Sequence, residues 1–178
     1  EIVDFGIART FQIMRPLSRL TVLENLMLAE CEQCGESIFS NFANPKKVQK
    51  EEERIREKAI ENLKLFGLEE KKDEYAGSLS GGQRRLLELA RSLMTSPKLL
   101  LLDEPTGGVN PSLAREILDH LDYLNEQGLT IFMIEHNIQT IMSLSDVVYV
   151  MCNGKKIAEG TPKEIQENED VIDAYLGR

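Results

Sequence analysis

The sequence predicts an α/β fold with a parallel-sheet core, on three observations. Two short apolar runs, "KLLLLDE" from Lys98 and "LTIFMIEH" from Leu129, have the length of strands buried on both faces. Stretches of helical period separate and follow them, so the second half reads strand, helix, strand, helix, strands, the order that right-handed crossovers connect. The middle of the chain, from about Thr21 to Ser96, reads as helix throughout. No internal repeat or low-complexity segment interrupts this plan.

Taken in order, "LTVLENLMLAEC" is a helix capped by Thr21, with Glu24 three residues on and Leu23, Leu26 and Met27 following. Gly35, Asn44 and Pro45 mark "GESIFSNFANPKK" as a loop. A long charged helix follows in "VQKEEERIREKAIENLKLFG". Ile55, Ala59, Ile60, Leu63 and Phe66 form its apolar stripe, Gly67 ends it, and its charge run is a solvated face. Gln83 to Thr95 is a helix burying Leu86, Leu87, Leu89, Ala90, Leu93 and Met94, stopped by Pro97. Between the two apolar runs, a helix from Pro111 to Gln127 turns Leu113, Ile117, Leu118, Leu121 and Leu124 inward. "NIQTIMSLS" is a short helix, and "DVVYVMCNGKKIAEG" is a hairpin turning at Asn153-Gly154. "TPKEIQENEDVIDAYLG" closes the chain as a pair of amphipathic helices.

Composition excludes some functions. A net charge of −9 argues against a duplex nucleic-acid binder, whose affinity rests on a basic face, but leaves docking onto another protein open. No apolar run approaches the roughly 18 residues of a membrane span, and no signal peptide is seen, so a membrane role would be peripheral. Three cysteines are an odd number, which fits a reducing compartment. Cys31 and Cys34 form a lone CxxC far from Cys152, and incidental thiols are a better reading than zinc or redox chemistry. The chain begins at Glu1 in "EIVDFGIARTFQ", which reads as the middle of a larger domain.

The chemistry concentrates in "SLSGGQRRLLELARSLMTSPKLLLLDEPTGG". Ser80 and Gln83 make a capping box. That leaves Gly81 and Gly82 in the first turn unexplained, where each glycine costs about 1 kcal/mol relative to alanine. Their gain is bare backbone N–H at the positive end of a helix, an anion seat. Asp103 and Glu104 end the first strand, at the edge where open α/β sheets bind ligands. Asp103 there can hold Mg²⁺ directly or through water, and Glu104 can polarise an attacking water. Two acids after leucines can also simply end a strand. If the next strand is a parallel neighbour, His136 at its end could reach the same phosphate as Glu104; alone, such a histidine is more often structural. His120, on the Pro111–Gln127 helix, is read as a surface residue.

"LSGGQ", "LLLLDEP", the "GGVNP" turn and "MIEHN", in this order and spacing, resemble the ATP-binding cassette (ABC) ATPases over nearly the whole chain. Leu79 to Gln83 match the family signature, Leu99 to Glu104 the Walker B strand, Thr106 to Pro111 the D-loop region and His136 the switch histidine. "ARTFQ" looks like the Q-loop, with Gln12 as its glutamine. "GIARTFQ", "TVLENLMLA" and "GTPKEIQENEDVIDAYLG" look most like ATP-binding subunits of branched-chain amino acid importers, with lipopolysaccharide-transport ATPases as near relatives. Asn110 stands where many members carry Asp, and the branched-chain group commonly has Asn there.

What the resemblance implies is an α/β, ABC-type P-loop NTPase domain with a parallel-sheet core and an inserted helical subdomain. It is expected to be incomplete, because no G-x-x-x-x-G-K-[ST] occurs in the sequence. Residues 1–20 would be the Q-loop region and 21–96 the helical subdomain ending in the signature helix. Residues 97–160 would be the Walker B, D-loop and H-loop core, and 161–178 the C-terminal helices. Glu104 and His136 are implied as catalytic; Ser80, Gly81, Gly82, Gln83 and Gln12 as nucleotide-binding; Asp103 and Gln12 as Mg²⁺ ligands. ATP and Mg²⁺ are the implied cofactors. The implied partners are a second cassette, identical or paralogous and paired head to tail, and transmembrane permease subunits, with no nucleic acid. Each ATP is then held by the P-loop of one subunit and the signature of the other, so this chain alone is expected to be inactive. The implied location is cytoplasmic, on the inner face of the cell membrane. The rival reading is a non-transport cassette ATPase of translation or DNA repair, against which stand the short, heptad-free span from Gln12 to the signature and the single acidic chain.

Overall fold

The computed structural model describes residues 5–10, 16–30 and 45–176. Packing divides the chain into one unit ending at Ile134 and another beginning at Glu135.

In the first unit, strands β1 (Ile7–Arg9), β2 (Leu99–Asp103) and β3 (Thr130–Ile134) form a sheet in the order β1-β2-β3. Both pairings are parallel, as expected for the two apolar runs, and the register sets Leu101 against Arg9 and Phe132, and Asp103 against Ile134. Alternation along the strands buries Ala8, Leu100 and Leu102. The expectation that both apolar runs are buried on two faces is corrected. Leu99 and Leu101 are half-buried, and Phe132 and Ile134 stand 50% and 59% exposed. β3 is an edge of the described sheet, and its even-numbered residues, Thr130, Phe132 and Ile134, are exposed.

The helices of this unit are α1 (Val22–Met27), α2 (Pro45–Leu65), α3 (Gly81–Leu93) and α4 (Pro111–Glu126). α1, α2 and α3 pack on one another around Val22, Leu26, Ile55, Ala59, Leu63, Leu87 and Ala90. Thr21 and Glu24 form the capping box read from the sequence: the Glu24 N–H donates to Thr21 Oγ1 at 3.1 Å and the Thr21 N–H to Glu24 Oε2 at 2.7 Å. Buried Asn25 fixes the approach to α1, accepting from the Leu17 N–H at 2.9 Å and donating to the Leu17 and Thr21 carbonyls. α2 begins at Pro45 rather than after it, since the fixed φ of proline suits a first helical position. Gly67, at φ +64°, ends the α2 segment.

His120 is not the surface residue expected. Its ring meets Phe66 edge-on at 4.9 Å between centroids, and its Nε2 is buried without a hydrogen-bond partner among the described residues. It thus ties α4 to the end of α2.

The second unit holds α5 (Ile138–Leu144), the antiparallel hairpin β4 (Val148–Cys152) and β5 (Lys155–Gly160), and helices α6 (Pro162–Gln166) and α7 (Glu169–Leu176). Asn153 and Gly154, at φ +48° and +76°, make the turn, both positive as a type I′ hairpin requires. Val148, Ala158 and Ile165 form its core. Cys152 is a free, half-buried thiol; Cys31 and Cys34 lie outside the described residues. No described helix is long and apolar enough to cross a membrane.

Candidate active site

The turn at Ser80 is built by reciprocal capping. The Gln83 N–H donates to Ser80 Oγ at 3.2 Å, and the Ser80 N–H donates to Gln83 Oε1 at 3.0 Å. The first i→i−4 bond of α3 runs from the Arg84 N–H to the Ser80 carbonyl, so the amides of Gly81 and Gly82 precede the helical ladder. The two glycines have different reasons to be glycine. A Cβ on Gly81 would meet nothing within 4 Å among the described residues, which leave its backbone open to a ligand. On Gly82 it would lie 2.3 Å from Leu113 Cδ2, so this glycine lets α4 pack against the start of α3. The sequence reading gave both glycines the first reason; for Gly82, packing is a sufficient one.

Asp103 ends β2 and is half-buried, as is Glu104. Glu104 adopts φ +45°, a left-handed conformation that costs a side chain with a Cβ about 1–3 kcal/mol and is typical of functional sites. Several contacts hold it there. Its N–H donates to the Ile134 carbonyl at 2.9 Å, extending the β2–β3 ladder, and its carbonyl accepts from the Gly107 N–H at 2.9 Å. A Cβ on Gly107 would stand 3.2 Å from the Glu104 carbonyl oxygen, so the tight return of the chain favours glycine there too.

The sequence reading passed over Arg85. This arginine is 4% exposed and sits one turn into α3. Its Nε donates to the Pro105 carbonyl at 3.0 Å, and its Nη2 to the carbonyls of Asp103, at 3.2 Å, and Glu104. Glu88 pairs with its Nη1 at 3.4 Å. A signal was available: Arg85 falls on the same helical face as Gly82 and Leu89, a charged residue where the stripe calls for an apolar one.

Asn110 caps α4, its Oδ1 accepting from the Leu113 N–H at 2.9 Å and from Ser112 Oγ at 2.7 Å. Asn and Asp cap about equally well, so the departure at this D-loop position has no structural cost. His136 is exposed and lies two residues beyond Ile134, the partner of Asp103, but belongs to the second unit. Gln12 lies outside the described residues.

A capped, glycine-opened helix joined through a buried arginine to an acid-tipped parallel strand is the frame of a phosphate-handling α/β domain. Residues 3–107 match the family model described as ABC transporter, and residues 155–178 the model described as branched-chain amino acid ATP-binding cassette transporter. The chain is 44% identical, over 177 residues, to a probable branched-chain amino acid transport ATP-binding protein LivG of Archaeoglobus fulgidus, covering 99% of this chain and 68% of that protein. A nucleotide-free ATP-binding cassette from an ABC transporter superposes with a TM-score of 0.78 at 41% identity, covering 99% of this chain and 71% of that one. An ATP-binding cassette in its ADP conformation does so with a TM-score of 0.76 at 40% identity, covering 99% and 70%.

The chain belongs to the ABC transporter family, as a nucleotide-binding, transport-coupled ATPase. The α/β fold with its parallel-sheet core is that of the cassettes. ATPase subunits of this family work as dimers with transmembrane permease components. The rival reading, a translation or repair ATPase, is not supported.

Proposed function

We propose that this chain is the ATP-binding and hydrolysing subunit of an importer for branched-chain amino acids. The match of residues 155–178 to the branched-chain model, and the printed function of the Archaeoglobus relative, support that substrate class. Two such subunits pair head to tail beneath a permease, peripheral to the inner face of the membrane. The Ser80–Gln83 turn of one subunit presents its amides to the γ-phosphate of the ATP held by its partner. At the ATP held by its own subunit, Glu104 accepts a proton of the water that attacks the γ-phosphorus as the bond to the oxygen of the leaving ADP breaks. In this reading His136 contacts the γ-phosphate of its own subunit's ATP, and Gln12 reports its presence towards the permease.

Asp103 supplies a hard carboxylate oxygen at the strand end, which fits Mg²⁺, an ion commonly bound by one or two carboxylates plus substrate phosphates. Bound Mg²⁺ would neutralise charge on the β- and γ-phosphates.

The observation that carries this reading is the left-handed Glu104 directly after Asp103. The test is Glu104→Gln in a full-length subunit that carries a P-loop. The amide keeps size but cannot take a proton, so steady-state ATPase should fall at least about a hundredfold, within the range general-base catalysis supplies, while ATP binding persists and the dimer is trapped. Liposomes holding the permease and the unaltered subunit should accumulate leucine, isoleucine or valine on ATP addition. Near-normal turnover in Glu104→Gln rejects the role of Glu104, and ATP-driven uptake of none of the three amino acids rejects the substrate class.

A further inference from the structure

We infer that Arg85 is a positioning residue that couples the Ser80–Gln83 turn to the aim of Glu104 within one subunit, so that the two ATP sites of a dimer sense each other through it. The inference rests on the reading of Ser80 and Glu104 proposed above. The geometry behind it is specific. The carbonyl of Asp103 belongs to the peptide before Glu104, and the carbonyl of Glu104 to the peptide after it. Arg85 Nη2 donates to both, so one nitrogen constrains the two peptide planes that set φ and ψ of Glu104. Those dihedrals direct its Cα–Cβ bond, and φ +45° is not a conformation glutamate holds unaided. Nε adds the Pro105 carbonyl at 3.0 Å, fixing the residue that follows.

At the other end, Arg85 rides on α3, five residues after the Ser80 cap. A hydrogen-bonded helix turn moves as a unit, so a displacement of the cap when a partner's phosphate arrives is carried to the guanidinium and on to the two peptide planes. Glu88 pairs with the same guanidinium at 3.4 Å, which lets a cation sit at 4% exposure. For a purely packing role, an apolar side chain would be the cheaper solution.

The experiment uses the full-length transporter complex, with Arg85→Lys as the main variant and Arg85→Met as the second. Lysine keeps the charge but has one nitrogen in place of three, so it cannot reach the two peptide planes while also replacing the Nε bond to Pro105 and the Nη1 pairing with Glu88. A misplacement on the order of 1 Å costs up to about a hundredfold in rate, so kcat should fall about 10- to 100-fold in Arg85→Lys while the ATP KM stays within about threefold. The ATP Hill coefficient should drop towards one. Mixed dimers locate the defect. With Arg85→Lys in one subunit and Glu104→Gln in the other, the working Glu104 is the mis-aimed one, and activity should be lost. With both substitutions in the same subunit, the partner's Glu104 is intact, and the half-site activity of a Glu104→Gln mixed dimer should remain.

Retention of kcat within twofold in both Arg85 variants overturns the inference. So does a loss that follows the partner's site, or one that appears as weaker ATP binding or an unchanged Hill coefficient. Full turnover by Glu104→Gln would instead sink the parent reading, and is seen without any Arg85 variant.

Discussion

Alanine at Gly81 and at Gly82 should move stability in opposite directions, although the residues are adjacent in one helix turn. Alanine is favoured over glycine by about 1 kcal/mol in a helix interior. At Gly81 the new methyl meets nothing within 4 Å among the described residues, so Gly81→Ala should stabilise a full-length subunit by about 0.5–1 kcal/mol. At Gly82 the methyl would fall 2.3 Å from Leu113 Cδ2, about 1 Å inside the closest comfortable approach. Leu113 must rotate or α4 must shift, and overpacking of that kind costs about 1–3 kcal/mol. Net of the helix gain, Gly82→Ala should be destabilised by up to about 2 kcal/mol. Function should run against stability at Gly81, because the methyl stands where a phosphate approaches the backbone.

Urea unfolding followed by circular dichroism, beside steady-state ATPase, measures both effects. A double-mutant cycle with Leu113→Ala isolates the contact at Gly82, with an expected coupling of at least about 0.5 kcal/mol. A Gly81→Ala subunit that is more stable and fully active would refute the anion seat. One that loses more than about 1 kcal/mol would refute the open space above Gly81, and zero coupling with Leu113 would refute the packing account of Gly82.

Further outcomes follow from single contacts. Asn110→Asp should leave stability within about 0.5 kcal/mol of the parent, whereas Asn110→Ala should lose about 1 kcal/mol by removing the cap of α4, both read from denaturant midpoints. His120→Phe keeps a ring against Phe66 and removes a buried nitrogen that makes no hydrogen bond among the described residues and has the half-exposed Glu116 carboxylate 3.9 Å away, so it should raise the melting temperature; a fall would show that the nitrogen contributes. The carboxyls of Glu24 and Glu164 lie below their usual 4.5 because the backbone N–H groups of Thr21 and Thr161 donate to them, with the two threonine hydroxyls adding to the effect. Their contribution is therefore full above pH 4.5 and lost as pH falls through the lowered values, so a Glu24→Gln/Glu164→Gln variant should show a shallower loss of stability across that acid range. The 178-residue polypeptide has no G-x-x-x-x-G-K-[ST] and exposes Phe132 and Ile134 by 50% and 59%. It should associate with rising concentration in light scattering and show no calorimetric MgATP binding at millimolar nucleotide, an affinity beyond about 4 kcal/mol being the contrary result.

What the sequence made legible was local. Thr21 with Glu24 and Ser80 with Gln83 are separated by three residues, so the bonds they form are decided by the helix start itself. Asn153-Gly154 sets its own turn for the same reason. The parallel pairing of β2 and β3 followed from run length and the intervening helix, both visible along the chain. β1 was harder to see, because three residues, Ile7 to Arg9, carry no period; they are a strand because Leu99 to Leu101 lie alongside them. The exposure of Phe132 and Ile134 was hidden differently. An apolar run states what its residues prefer, and what covers them is a property of the whole assembly.

The candidate site divides along the same line. Asp103, Glu104 and the Ser80–Gln83 turn could be picked out because few residue types accept a proton, hold a hard cation or leave a backbone bare, so the chemistry restricts the letters. The residues that aim them are under no such restriction. Any donor of the right reach satisfies a carbonyl, and the carbonyls that Arg85 serves lie 18 to 20 residues further along the chain. The left-handed φ of Glu104 is likewise written in its surroundings rather than in its own identity: a ladder bond from Ile134, a return through Gly107 and the guanidinium beneath. A glutamate that must be strained to point at a water molecule needs several distant groups to agree on its backbone, and such agreement has no short motif. It leaves one trace in sequence, a charged residue on a stripe that should be apolar, and Arg85 is that trace.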